Sequence, residues 1–175
     1  TRGKHSKKTG KQLKDGESKK VYYNENVYRV SSGTGKFKEI PQAGVECIGD
    51  FDKVSSKEII SLASKSLQEI SDETVLCTSH LGILDKVVGN PGRAVYNEIL
   101  DKVRAKKTFE IDAKSDSLIN LMNLYGKFSD VKDTLYEICK EVNALPEYVD
   151  FKEAVSDVDP FVDFSLVPNT EYYNG

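Results

Sequence analysis

Three side chains, Arg29, Gln42 and Glu46, have the types and spacing to recognise a small charged molecule. A guanidinium such as that of Arg29 can fork two N–H donors onto a carboxylate. Glu46 can accept from an ammonium or an imidazole N–H, and Gln42 can both donate and accept. Gln42 and Glu46 are four residues apart, so on a strand both face the same side of the sheet. Near the other end, Tyr172 and Tyr173 point to opposite faces if extended, so one can line a pocket while the other packs. Taken singly, each polar residue reads as an ordinary surface charge or hydrogen bonder on a strand. Metal chemistry has little to work with. The histidines are His5 and His80, and Cys47, Cys77 and Cys139 are far apart with no C-x-x-C pair. That argues against a disulfide framework or a zinc knuckle and fits a reducing cytosol.

The elements that must position these residues can be read in order. The chain has 175 residues, 38% hydrophobic and 30% charged, enough for one domain or one domain with a small insertion. A net charge of −3 argues against a general nucleic-acid binder, which needs a basic excess to displace counterions. No apolar run approaches the roughly 18 residues of a membrane span, and no apolar signal core opens the chain. Residues 1–20 stand apart, with eight lysines and arginines against Asp15 and Glu17, a net +6. With Leu13 as the single large apolar residue, the segment reads as a basic polar lead-in, with a phosphate- or RNA-contacting arm as the alternative.

From Val21 the texture becomes β-branched and aromatic. Val21–Val30 is expected as one bent strand or two short ones around Asn24-Glu25-Asn26, with Ser31–Gly35 a loop and Phe37–Ile48 returning as a hairpin. Pro41 places that return at an edge or a bulge. Ser55-x-x-Glu58 is expected to cap a helix with Ile59, Leu62, Ala63, Leu67 and Ile70 on one face. A short strand at 74–78 follows, then helices at 81–88, 94–105 (Val95, Ile99 and Val103 inward), 118–124 and 131–142. The last of these carries a stripe of Val131, Leu135, Ile138 and Val142. Alternation over 161–167 predicts a closing strand. This order implies an α+β fold with an antiparallel sheet drawn from residues 21–49, 73–78 and 161–174.

Two segments carry a family resemblance. Tyr22–Gly49 resembles the second signature motif of class II aminoacyl-tRNA synthetases in its histidyl form: an arginine (Arg29), a loop, and Gln-x-x-x-Glu (Gln42, Glu46) ending in Gly49. Asp163–Gly175, D-F-S-L-V-P-N-T-E-Y-Y-N-G, is similar to that family's histidine-specific signature. Ser79-His80-Leu81-Gly82 and Leu121–Gly126 fall where the family has a strand–helix step and a helical insertion. The resemblance implies a class II synthetase-like antiparallel sheet flanked by helices over residues 21–175, a partial domain with a helical insertion at about 93–145. It also implies a histidine-binding set of Arg29, Gln42, Glu46, Tyr172 and Tyr173. The family's first and third motifs are not recognisable, so the chain reads as a piece of a longer protein.

The departures from the family pattern are specific. Active synthetases follow the motif arginine with an acidic residue, where this chain has Val30-Ser31-Ser32. They carry an arginine in the histidine signature where this chain has Pro168, and Asn169-Thr170-Glu171 replaces the signature's Gly-x-Asp. A proline offers no charge or side-chain donor to stabilise adenylate formation. The chain therefore also resembles the regulatory subunit family of ATP phosphoribosyltransferase, to which Gln42-Ala43-Gly44-Val45-Glu46 and Leu124-Tyr125-Gly126 look closer. That resemblance implies a non-catalytic, cytoplasmic subunit without a cofactor, of no membrane and not of nucleic acid. It implies histidine as effector, a short-form catalytic subunit as partner, and a homodimer within a hetero-oligomer. The alternatives are a functional histidyl-tRNA synthetase and a synthetase-like module of unrelated regulation.

Overall fold

The computed structural model describes residues 13–14, 16–31, 33–50, 52–111 and 116–167. They fall into two compact units, residues 1–59 and 60–175.

The first unit is built on an antiparallel hairpin of β1 (Ser18–Val30) and β2 (Phe37–Gly49). β1 is one unbroken strand. Asn24-Glu25-Asn26 does not interrupt it, because Asn26 and Tyr28 both donate to the Glu39 carboxylate across the ladder, at 2.7 and 3.1 Å. Pairing runs one-to-one from Ser18–Gly49 to Val30–Phe37, so Pro41 sits on an edge strand without a bulge. The turn is closed by Ser31 N–H donating to the Lys36 carbonyl at 2.9 Å, with Gly35 supplying a left-handed φ of +66°.

Helix α1 (Lys53–Gln68) begins two residues before the expected cap. Asp52 takes that role: its Oδ1 accepts from Ser55 N–H at 2.9 Å, and Ser55 is buried in the first turn instead of opening the helix. These bonds hold the Asp52 carboxyl below its ordinary range. The apolar face also differs from expectation. Ile60 packs on the core, whereas Leu62 and Ile70 are exposed.

The second unit contains β3 (Cys77–Thr78), α2 (Leu81–Val88), α3 (Arg93–Arg104), a 3₁₀ turn at Thr108–Glu110, and α4 (Asp116–Asn123). It continues with β4 (Tyr125–Lys127), α5 (Phe128–Glu141), α6 (Leu145–Ala154) and β5 (Phe161–Asp163). Its sheet has the order β3-β5-β4, with β3 parallel and β4 antiparallel to β5. The expected single antiparallel sheet is thus corrected among the described residues to a hairpin and a mixed three-stranded sheet. Parallel neighbours need a long crossover, and the segment from α2 to α6 supplies one.

Val162 on the central strand is fully buried beneath Ile83, Leu100, Leu121, Leu135, Phe151 and Phe164. The α5 stripe lies inward as read, with Leu135 and Ile138 buried and Val131 and Val142 packed beside them. On α3, Leu100 and Val103 face inward, and Val95, expected there, is 48% exposed. β5 ends at Asp163, short of the expected 167. The Asp163 carboxylate accepts from the N–H and hydroxyl of Ser165, an Asx-type turn that competes with the ladder.

Candidate functional site

Cross-strand partners in an antiparallel pair point to the same face. The register therefore groups Val21, Tyr23, Glu25, Val27 and Arg29 of β1 with Glu46, Gly44, Gln42, Ile40 and Lys38 of β2. Arg29, Gln42 and Glu46 share one face of the hairpin. The other face carries Tyr22, Tyr28, Val30, Phe37 and Val45, all exposed.

Within the shared face the three residues are graded. Glu46 is buried, at 9% exposure, Gln42 is half-buried, and Arg29 is exposed. Four residues of strand, roughly 13 Å at ~3.4 Å per residue, separate Gln42 from Glu46. Arg29 lies opposite Lys38, four residues beyond Gln42 on the other side. The hairpin spaces the three along one face, with Gln42 as far from Glu46 as from Lys38, and leaves Arg29 at the far end. There Arg29 and Lys38 form a cross-strand cationic pair suited to a carboxylate.

Tyr23 completes the central part, and sequence reading missed it. Its partner across the ladder is Gly44, midway between Gln42 and Glu46. The ring lies over that glycine: a Cβ added at Gly44 would stand 2.2 Å from Tyr23 Oη and 2.5 Å from Cζ. Gln42 Nε2 donates to Tyr23 Oη at 3.3 Å. The available signal was the alternation that puts Tyr23, not Tyr22, on the half-buried side, together with a glycine inside a strand, which marks close approach of another group.

At the same end of the hairpin Lys20 pairs with Glu58 of α1, which raises the Lys20 ammonium pKa. Tyr172, Tyr173 and Pro168 lie outside the described residues. No group of three histidine, cysteine or acidic side chains able to hold a metal occurs among the described residues.

His80, from the Ser79–Gly82 step, is a cap. Its Nδ1 accepts from Ile83 N–H at 3.3 Å to start α2, and its ring meets Phe151 edge-on at 5.9 Å. Burial lowers its pKa, against the opposing pull of Asp150, Glu147 and Asp85. Cys139 is a core thiol pushed up to about 11 by burial.

The family profile described as histidyl-tRNA synthetase matches residues 7–175. The chain belongs to that family. Its fold is the α+β fold of the class II synthetases. Among curated relatives, a histidine–tRNA ligase of Methanococcus maripaludis (strain C6) is 26% identical over 174 residues, covering 89% of this chain and 41% of the relative. An ATP phosphoribosyltransferase regulatory subunit of Geobacillus sp. (strain WCH70) is 28% identical over 190 aligned positions, covering 93% of this chain and 46% of the relative. The chain therefore spans less than half the length of either protein. Among solved structures, an ATP phosphoribosyl transferase (HisG:HisZ) complex from Thermotoga maritima contains a similarly folded chain. The TM-score is 0.64 at 18% identity, covering all of this chain and 67% of that one. No helix among the described residues is long and apolar enough to cross a membrane.

Proposed function

We propose that this family member is a non-catalytic regulatory subunit of ATP phosphoribosyltransferase, which binds histidine and controls a short-form catalytic subunit within a cytoplasmic hetero-oligomer. The observation that carries the reading is that the sequence keeps the amino-acid-binding residue types and lacks the activation groups. Gln42 or Glu46 offers an acceptor to an ammonium or imidazole N–H of histidine, and Arg29, at the far end of the same face, adds a longer-range attraction for its carboxylate. Pro168 stands where the synthetase signature has its arginine, and Val30-Ser31 where it has its acid. The positive charge that stabilises adenylate formation is therefore absent. In this reading Tyr172 or Tyr173 belongs to the histidine-binding set, residues 1–20 are a basic lead-in and residues 93–145 correspond to the family's helical insertion.

The likeness to a regulatory subunit and to a chain of a phosphoribosyl transferase complex supports this assignment. Histidine bound by this subunit would shift the equilibrium of a partner whose active site lies elsewhere, by a coupling of about 1–3 kcal/mol. The test is phosphoribosyl transfer by the short-form subunit, with and without the full-length protein, across a histidine titration. Identical curves would end the proposal. The histidine–tRNA ligases among its relatives keep a second reading in play, a histidyl-tRNA synthetase. Histidine-dependent pyrophosphate exchange with ATP would decide for it.

A further inference from the structure

We infer that Tyr23 is a positioning residue of the hairpin site, holding the Gln42 amide so that its carbonyl oxygen faces the ligand; this rests on the histidine-binding reading above. A glutamine amide has one acceptor oxygen and one NH₂ group on opposite sides of a plane, and a freely turning amide offers either. Here Nε2 is engaged by Tyr23 Oη at 3.3 Å, which turns Oε1 to the other side. Glu46, an acceptor in its ionised form, stands two positions beyond Gly44 on the same face. The ring over Gly44 thus separates the Gln42 amide from the Glu46 carboxylate. A carbonyl oxygen held in this way takes an N–H donor of the ligand and turns away a ligand that presents an acceptor there. Gly44 is integral to the device, because any side chain at that position would stand 2.2 Å from the phenol oxygen and displace the ring.

The experiment is a double-mutant cycle on the full-length protein, with histidine affinity measured by titration calorimetry for the unsubstituted protein, Tyr23→Phe, Gln42→Ala and the double variant. Tyr23→Phe keeps the ring and removes the phenol oxygen. It should weaken histidine about fivefold, the usual weight of one neutral hydrogen bond. In the Gln42→Ala background the same change should cost less than about twofold, because the group it orients is gone. A merely structural tyrosine would cost the same factor in both backgrounds, and that result overturns the inference. If Tyr23→Phe binds as tightly as the unsubstituted protein while Glu46→Ala loses histidine, the inference fails and the histidine reading stands. No binding by the unsubstituted protein, with circular dichroism reporting a folded chain, overturns both.

Discussion

Replacing Glu46 by alanine in the full-length protein should weaken histidine binding by about 2 kcal/mol, close to 30-fold. The figure follows from where the carboxylate sits. At 9% exposure Glu46 is shielded from solvent, so its hydrogen bond to a cationic ligand falls in the range of charged pairs, about 1.5–3 kcal/mol. Arg29 is exposed at the far end of the hairpin, where an ion pair is worth about 0–1 kcal/mol. Arg29→Ala should therefore cost less than about fivefold, although its guanidinium is the stronger donor in isolation. Glu46→Gln keeps the size and one acceptor and should recover part of the loss, separating charge from shape. Salt gives an independent check: raising ionic strength should erode the Arg29 contribution and leave that of Glu46 nearly unchanged. Titration calorimetry at two salt concentrations reads all of this. An Arg29→Ala cost larger than that of Glu46→Ala would refute the burial argument, and unchanged affinity in Glu46→Ala would remove that residue from the site.

Phe151 is 1% exposed and meets Phe128 at 5.6 Å and Phe164 at 6.4 Å, so Phe151→Ala should destabilise the second unit by about 3–5 kcal/mol in urea unfolding. A loss under about 1.5 kcal/mol would contradict its central place in the core. Because burial lowers the pKa of His80, the unfolded chain takes up its proton more readily. Stability should be fully present above the ordinary value of 6.5, fall as pH drops below it, and level off once the folded imidazole also protonates. His80→Asn keeps a capping acceptor and should flatten that slope in thermal melts, and an unaltered slope would contradict the assignment. Pro168→Arg in the full-length protein should give no histidine-dependent pyrophosphate exchange, since Val30-Ser31 still lacks the acid. Measurable exchange would show that the arginine alone was missing.

Much of this could be read from residue types, and the failures have physical causes. The hairpin and the α5 stripe follow from alternation and from 3.6-residue spacing. Helix α6 escaped notice because Val149, at 52% exposure, sits among the buried Tyr148, Phe151 and Ala154 and blurs the stripe. Its start signal, Pro146 in the first turn, was present. The direction of β3 against β5 could not be read locally, since it depends on how the intervening helices return the chain. For the site, period-two spacing put Gln42 and Glu46 on one side without any structure. Arg29's distance from Glu46 and Tyr23's contact with Gly44 were hidden. Both depend on which residue faces which across the ladder, and that is settled only once the turn from Ser31 to Lys36 is known.

The fit of Tyr23 over Gly44 also bears on how the ribbon finds its alignment. A two-stranded ribbon can slide by two residues and keep the same side chains on each face, so hydrophobic patterning alone does not forbid that error. On this face β2 presents Lys38, Ile40, Gln42, Gly44, Glu46 and Ile48, and of these Gly44 alone has no side chain to meet the tyrosine ring from the opposite strand. A slide of two in either direction would drive Tyr23 into Gln42 or Glu46. The tyrosine and the glycine work as tooth and notch, rejecting misaligned ribbons while the chain folds. A larger residue at position 44 should therefore produce mispaired hairpins and aggregation during expression, a failure of assembly that would precede any loss of ligand binding.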